Sequence, residues 1–357
     1  MTSARLREQL ERELPLLHVR GERELVAAFL ELDHGGDFAR LESYLDGCRR
    51  VARQATERGA TWLAAVLRYF VGRTLAFPLD RPQEALPIVV ELLAELQSGP
   101  QRGSVLAALV ELELLRACHK SDAPGHRALL VAGGRELMPR LRDDLGPCTE
   151  LLDVLWRTGW WCRDVALMKE ARRMAEAHPQ ALRFSAGYWQ ARERSLEGAH
   201  ADGVALLRGL LADREELDRA GDSWRHYLEV ELARQEVVIG AATAAAARLA
   251  RIGAEVGPVR DPMLAWERAI AAAALAAARG DVDGEVAQWG AALDAVEGLG
   301  TERLEAEFAL ALGEAAARAG REPPFARARA RLAERLPVLL SRADLEARAR
   351  ALPGLYS

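Results

Sequence analysis

Apolar residues recur at helical spacing along almost the whole chain, and short polar breaks interrupt them at a regular beat. Representative runs are ATWLAAVLRYFVGRTL, SVLAALVELELLRACHK, ALRFSAGYWQARERSLEG and ERLEAEFALALGEAAARAG, in which one stripe is apolar and the remainder charged. Gly59, Gly103, Gly146, Gly221, Gly257 and Gly300 are each expected to close such a run, with His178-Pro179 in the one large gap between them. The resulting period of roughly forty residues is that of a helical-repeat solenoid, in which a hairpin cannot bury its apolar stripe alone and must stack on its neighbours.

Within each period the order is helix, short break, helix. After Gly59 the break is FPLDRP and the second helix QEALPIVVELLAELQ. After Gly103 the break is SDAPGH, followed by RALLVAGGRELMPRL, where Pro139 is expected to end or kink the helix at Met138. After Gly146, TELLDVLWRTG leads through WWCRD to VALMKEARRMAEAH. From Ala181 onward the pairs are cleaner, among them SWRHYLEVELARQEVVIG with AATAAAARLARIGAEVG. Short breaks force neighbouring helices to run antiparallel. DFARLESYLDGCRRVARQATERG, paired with LVAAFLELDHG before it, brings the expected total to about eight antiparallel hairpins in an all-α solenoid. The chain, 1–357, reads as a single continuous domain: an N-terminal cap helix in 1–20, repeats over 21–337 and a C-terminal cap in 338–357. Each cap needs one polar face.

Composition supports this. Half of the residues are apolar and only 6% aromatic, with Ala, Leu, Glu and Arg dominant. The net charge of -5 provides no global basic field, so neither nucleic acid nor a membrane surface is an expected partner. Only two of the 48 basic residues are lysines, Lys120 and Lys169, a skew that fits a GC-rich, bacterial codon usage. The N-terminus has no secretory apolar core, and the longest apolar run, 269–278, is too short to cross a bilayer, which points to a cytoplasmic protein.

Three stretches carry a family resemblance: LDRAGDSWRHYLEVELARQ, AWERAIAAAALAAARGDVDGEVAQWGAAL and LEAEFALALGEAAARAG. They resemble degenerate tetratricopeptide (TPR) repeats of the longer, forty-residue type found in bacterial regulators of the MalT and Rap kind. Small Ala269, Ala273 and Ala292 alternate with bulky Trp266 and Trp289 as such repeats alternate their packing positions. The match is best between about Ala181 and Leu336, and no hairpin carries the full signature. The resemblance implies a right-handed superhelix whose first helices line a concave groove for a peptide, helix or protein, and it implies no catalytic residues.

Chemistry-bearing motifs do not alter this picture. The chain has no phosphate-binding glycine loop, no H-E-x-x-H and no G-x-S-x-G. Cys48, Cys118, Cys148 and Cys162 have no zinc or disulfide spacing, and the grouping of Cys118, His119 and His126 spans a helix end and a loop. No cofactor and no metal are therefore expected. Paired carboxylates such as Asp143-Asp144, Glu215-Glu216 and Asp281 with Asp283 lie at helix ends, where acids cap free amides. The segment 318–350 holds nine arginines against four acids, which reads as a solvated cap or a docking edge for an acidic partner rather than a phosphate stripe.

Aromatic residues on first helices serve either as wedges between repeats or as groove anchors, because Trp, Tyr and Arg are favoured at hot spots. In SWRHYLEVELARQ, Arg225, Leu228 and Leu232 share one face and Trp224, Tyr227 and Glu231 another. Tyr188, Arg192 and Ser195 share a face of the first helix one hairpin earlier. Tyr188, Arg192, Arg225, Tyr227 and Arg234 are thus the candidate groove residues. The alanine-rich hairpins are candidates for a homodimer seam, since burying Ala returns little hydrophobic energy.

The function expected is a non-enzymatic scaffold or adaptor for a protein or peptide partner. A ligand- or peptide-sensing regulatory module is the first alternative. The second is an all-α toroid enzyme, for which the breaks are mostly too short.

Overall fold

A computed structural model describes residues 3–33, 40–77, 79, 81–121, 126–161, 164–177, 183–215, 217, 222–256, 262–297, 301–339, 343–352 and 354–355. All regular structure among them is helical. In chain order, eight helix pairs lie between a first and a last helix. The first helix is α1 (Ala4–Val19). The pairs are α2 (Arg23–Leu30) with α3 (Leu41–Glu57), α4 (Thr61–Ala76) with α5 (Pro82–Ser98), α6 (Val105–Ser121) with α7 (His126–Leu141), and α8 (Leu145–Trp161) with α9 (Val165–Glu176). They continue as α10 (Arg183–Leu196) with α11 (His200–Ala212), α12 (Asp222–Val238) with α13 (Ala242–Val256), α14 (Pro262–Ala278) with α15 (Val282–Val296), and α16 (Glu302–Ala319) with α17 (Glu322–Arg335). The last is α18 (Ala343–Arg350). Among the described residues no helix is long and apolar enough to cross a membrane.

The chain forms two compact units, 1–155 and 156–357. In each, helices adjacent in sequence pack against one another, and first helices also touch the next first helix, as α4 touches α6 and α12 touches α14. The core of unit 1 joins Leu45, Cys48 and Val51 to Leu63, Leu67, Val71 and Leu75. In unit 2 one cluster joins Leu293 and Val296 to Phe308, Leu312, Leu332 and Leu345.

Turn chemistry explains several helix ends and, at Gly103, the turn just before α6. Gly59, Gly103, Gly198, Gly240, Gly280 and Gly320 adopt left-handed backbone with φ between 63° and 83°, where a side chain is strained. Gly146 does not end a helix: it lies in the first turn of α8, because Asp144 just before it starts that helix by accepting from the Cys148 amide through its carbonyl. Gly221, Gly257, Gly300 and the His178-Pro179 pair lie outside the described residues. Pro139 does not stop α7, which continues to Leu141.

Asp144 has a second task. Its carboxylate accepts from the Ser3 hydroxyl and from the Ala4 amide at 3.2 Å, while the Ser3 hydroxyl accepts from the Leu6 amide at 3.1 Å. The start of α1 is therefore capped from the far end of the same unit. Asp281 caps α15 in the ordinary local way, accepting from the Gly284 amide at 2.9 Å.

Candidate recognition site

The unit 2 site begins with charged residues on helix faces that are otherwise apolar. Tyr188 and Arg192 stand one turn apart on α10, and the Arg192 Nη1 donates to the Tyr188 hydroxyl at 2.9 Å. Glu231, Arg234 and Gln235 share a face of α12, and Glu267 comes from α14. Arg192 grips Glu267 with two donors, at 3.1 and 3.4 Å, and lies 3.5 Å from Glu231. Glu231 also accepts from Arg234 at 2.8 Å and from Gln235 at 2.7 Å. Buried charge survives only when paired and hydrogen-bonded in this way.

Burial pushes the Glu231 carboxyl up, but the guanidiniums of Arg234 and Arg192 pull harder and hold it below the usual range. Burial likewise raises the Tyr188 phenol. Trp160, in the last turn of α8, stacks under both arginines, with Arg192 at 4.3 Å and Arg234 at 5.4 Å from the ring centre.

Beside this cluster unit 2 contains a cavity of about 460 Å³. Its apolar wall includes Trp160, Ile270, Trp289 and Phe308, and Arg234, Arg303, Arg318 and Arg348 stand around it with Glu285, Glu307 and Glu314. Three of these arginines hold the three glutamates: Arg303 to Glu307 at 2.9 Å, Arg318 to Glu285 at 2.6 Å and Arg348 to Glu314 at 2.9 Å. The volume and mixed lining are those of a site for a small molecule or a short peptide segment.

The five expected groove residues separate into three groups. Tyr188 and Arg192, expected on an open face, are each only 4% exposed and belong to the buried cluster. Arg225 pairs with Glu255 at the surface, at 2.5 Å, and Tyr227 packs edge-on to Trp224 beside Val230, Ile252 and Leu264. Arg234 alone of the five lines the cavity. The face carrying Trp224, Tyr227 and Glu231 is not open, because Glu231 is buried along with Leu228 and Leu232 on the other side of α12.

Trp160, Trp289, Phe308 and the three arginines after position 300 went unrecognised as site residues. The usable signal was the local pairing Arg303-x-x-x-Glu307, which projects two opposite charges from one helix face. The arginines of 318–350 are largely matched by carboxylates of other helices: Arg321 grips Asp283 with two bonds of 2.7 Å, Arg327 reaches Glu297 at 3.0 Å and Arg335 reaches Glu305 at 2.7 Å. Trp156 and Trp189 are fully buried and stack at 5.7 Å, as wedges should.

Unit 1 holds a charged cluster of its own. Arg73 on α4 donates to Glu113 on α6 at 2.8 Å and to both oxygens of Glu150 on α8, at 2.8 and 2.7 Å. Arg116 on α6 donates to Glu113 and to Glu150, each at 2.8 Å, and lies 4.8 Å from the Phe77 ring centre. Tyr69 is buried one turn before Arg73, and burial raises its phenol. Glu150 is also pushed up by burial, but Arg116 and Arg73 outweigh this and hold its carboxyl at about 2.

No protein-family model matches the chain, and no curated protein does. Among solved structures the chain is similar to a Rap protein complexed with competence and sporulation factor, at 11% identity and a TM-score of 0.48, covering 79% of this chain and 77% of that one. It is similar also to the APC/C hetero-tetramer Cut9-Hcn1, at 18% identity and a TM-score of 0.48, covering 87% of this chain and 54% of that one, so it spans about half the length of that relative.

Proposed function

We propose that this protein is a non-enzymatic recognition module whose unit 2 cavity holds a short segment of a partner protein or peptide. The observation that carries the reading is the cavity of about 460 Å³ walled by Trp160, Trp289 and Phe308 and ringed by arginines, the residue types that dominate binding hot spots. The carboxylates beside it support binding over catalysis, since Glu285, Glu307 and Glu314 are each bonded to an arginine and serve as its charge partner.

A display selection on the full chain tests this. An enriched sequence motif is expected, and the corresponding synthetic peptide should change tryptophan fluorescence and lose affinity about tenfold or more against Trp289→Ala, as for truncation of an aromatic anchor. If no motif is enriched, or if Trp289→Ala binds the enriched peptide unchanged, the cavity is not the site.

A further inference from the structure

The charged clusters of the two units correspond residue for residue. Tyr69, Arg73, Glu113, Arg116 and Glu150 match Tyr188, Arg192, Glu231, Arg234 and Glu267: Tyr-x-x-x-Arg on one first helix, Glu-x-x-Arg on the next and Glu on the third. The local sequences around the middle element, ELELLR and EVELAR, agree as well. In both units the first arginine binds the third-helix glutamate with two donors, and the second arginine binds the glutamate one turn before it.

Two contacts differ: Arg73 donates to the middle-helix Glu113 at 2.8 Å where Arg192 lies 3.5 Å from Glu231, and the third-helix glutamate is shared differently. In unit 1 the third-helix glutamate closes both arginines, because Glu150 Oε2 accepts from Arg73 and from Arg116. In unit 2 Glu267 is taken by Arg192, and the carboxylate bonded to Arg234 among the described residues is Glu231. Arg234 Nε is buried without a hydrogen-bond partner there, and its guanidinium rests over Trp160 on the cavity wall. A guanidinium offers five donors in a planar fork, and leaving them desolvated and unmet is costly. Arg116 is thus the completed version of this arginine, and Arg234 is the same residue lacking its second carboxylate.

We propose that Arg234 is the ligand-reading residue of the cavity and that it selects a carboxylate, which takes the part that Glu150 plays toward Arg116. This rests on the cavity's being a peptide site, and it adds the chemistry that the site selects. The charge balance favours the smallest negative charge that can meet a guanidinium: Arg303, Arg318 and Arg348 hold the three lining glutamates, and Arg234 is bonded to Glu231. A phosphate dianion would bring about twice the negative charge beside Glu231 and the three lining carboxylates. Trp160, Trp289 and Phe308 then receive the apolar part of the ligand next to its acid group. The carboxylate can come from an acidic side chain or from a peptide C-terminus.

Three pools of short synthetic peptides separate these sources when titrated calorimetrically against the full chain. One is blocked at both ends and carries a glutamate, one has a free C-terminus and no acidic side chain, and one is blocked and uncharged. At least one carboxylate pool should bind about tenfold or more tighter than the uncharged pool, the range for a charged hydrogen bond. Arg234→Gln should remove the advantage of that pool over the uncharged one, measured as the ratio of the two affinities within the variant. Arg234→Lys keeps the charge that Glu231 needs and lacks the fork, so it should lose most of the preference at an unchanged melting temperature; it decides the matter if the glutamine variant does not fold. Equal binding of the uncharged pool, or a carboxylate preference that survives in both variants, overturns the proposal and leaves peptide binding standing. Failure of all three pools removes the peptide-site reading and this inference with it.

Discussion

Replacing Glu150 by glutamine tests whether the unit 1 cluster stabilises the fold or merely tolerates its charges. The wild-type cluster holds two guanidiniums against two carboxylates, all largely buried. The amide keeps one acceptor oxygen but removes one of the two negative charges that face Arg73 and Arg116. Breaking a buried pair from one side costs about 3–5 kcal/mol, and the retained oxygen places this variant near the lower end. The depressed carboxyl leads to a similar figure. The folded carboxyl sits at about 2 against an ordinary 4.5, which at about 1.4 kcal/mol per tenfold change corresponds to roughly 3 kcal/mol.

The sign follows from the depressed value. The stabilisation is complete above about pH 4.5 and is lost as pH falls toward 2. Urea denaturation followed by circular dichroism should therefore show wild type more stable than Glu150→Gln by about 3 kcal/mol near pH 7, with the gap shrinking to about half near pH 3. If unit 1 unfolds in its own transition, the gap is read there. A gap below about 1 kcal/mol at neutral pH, or one that does not change with pH, would refute the claim that Glu150 is held by these two arginines.

Three further outcomes are expected. Gly203→Ala should destabilise the protein by about 1–3 kcal/mol in thermal melts, because the added Cβ would lie 2.0 Å from Gln235 Oε1 and 3.0 Å from the Ala191 carbonyl oxygen, displacing the bond that Gln235 donates to that carbonyl. Gly280→Ala meets no atom within 4 Å, so its cost should be only that of left-handed backbone at φ 69°, about 1–2 kcal/mol, and Gly280→Asn should recover part of it. Burial pushes the Cys48 and Cys118 thiols up to about 11, so neither should react with a disulfide reagent near pH 8 until denaturant is added, and mass mapping of early adducts on either would contradict their burial.

The hairpins were legible because their apolar stripes and turn glycines are local signals. Gly240, Gly280 and Gly320 end helices in the left-handed conformation that only glycine adopts readily. Gly146 belongs to the helix that follows because the backbone carbonyl of Asp144, two residues earlier, already opens α8, while the Asp144 carboxylate serves the start of α1. The polar members of buried faces were hidden for a different reason. Glu113, Arg192, Glu231 and Glu267 look like surface residues by type, and what buries them is a partner some forty or more positions away. Arg234 stands out by its residue type, whereas the cavity beside it depends on how α8, α10, α12, α14, α15, α16 and α18 converge.

Solenoids commonly change length by gaining or losing whole hairpins, since each unit meets only its neighbours. The three-helix clusters restrict where that can happen here. Duplicating a hairpin between Arg73 and Glu150, or between Arg192 and Glu267, would part an arginine from its glutamate and leave both ions stranded in a dry interior. Growth or shrinkage of the array is therefore confined to stretches outside these two spans, and relatives of this chain should differ in hairpin copy number there and keep the spans at constant length.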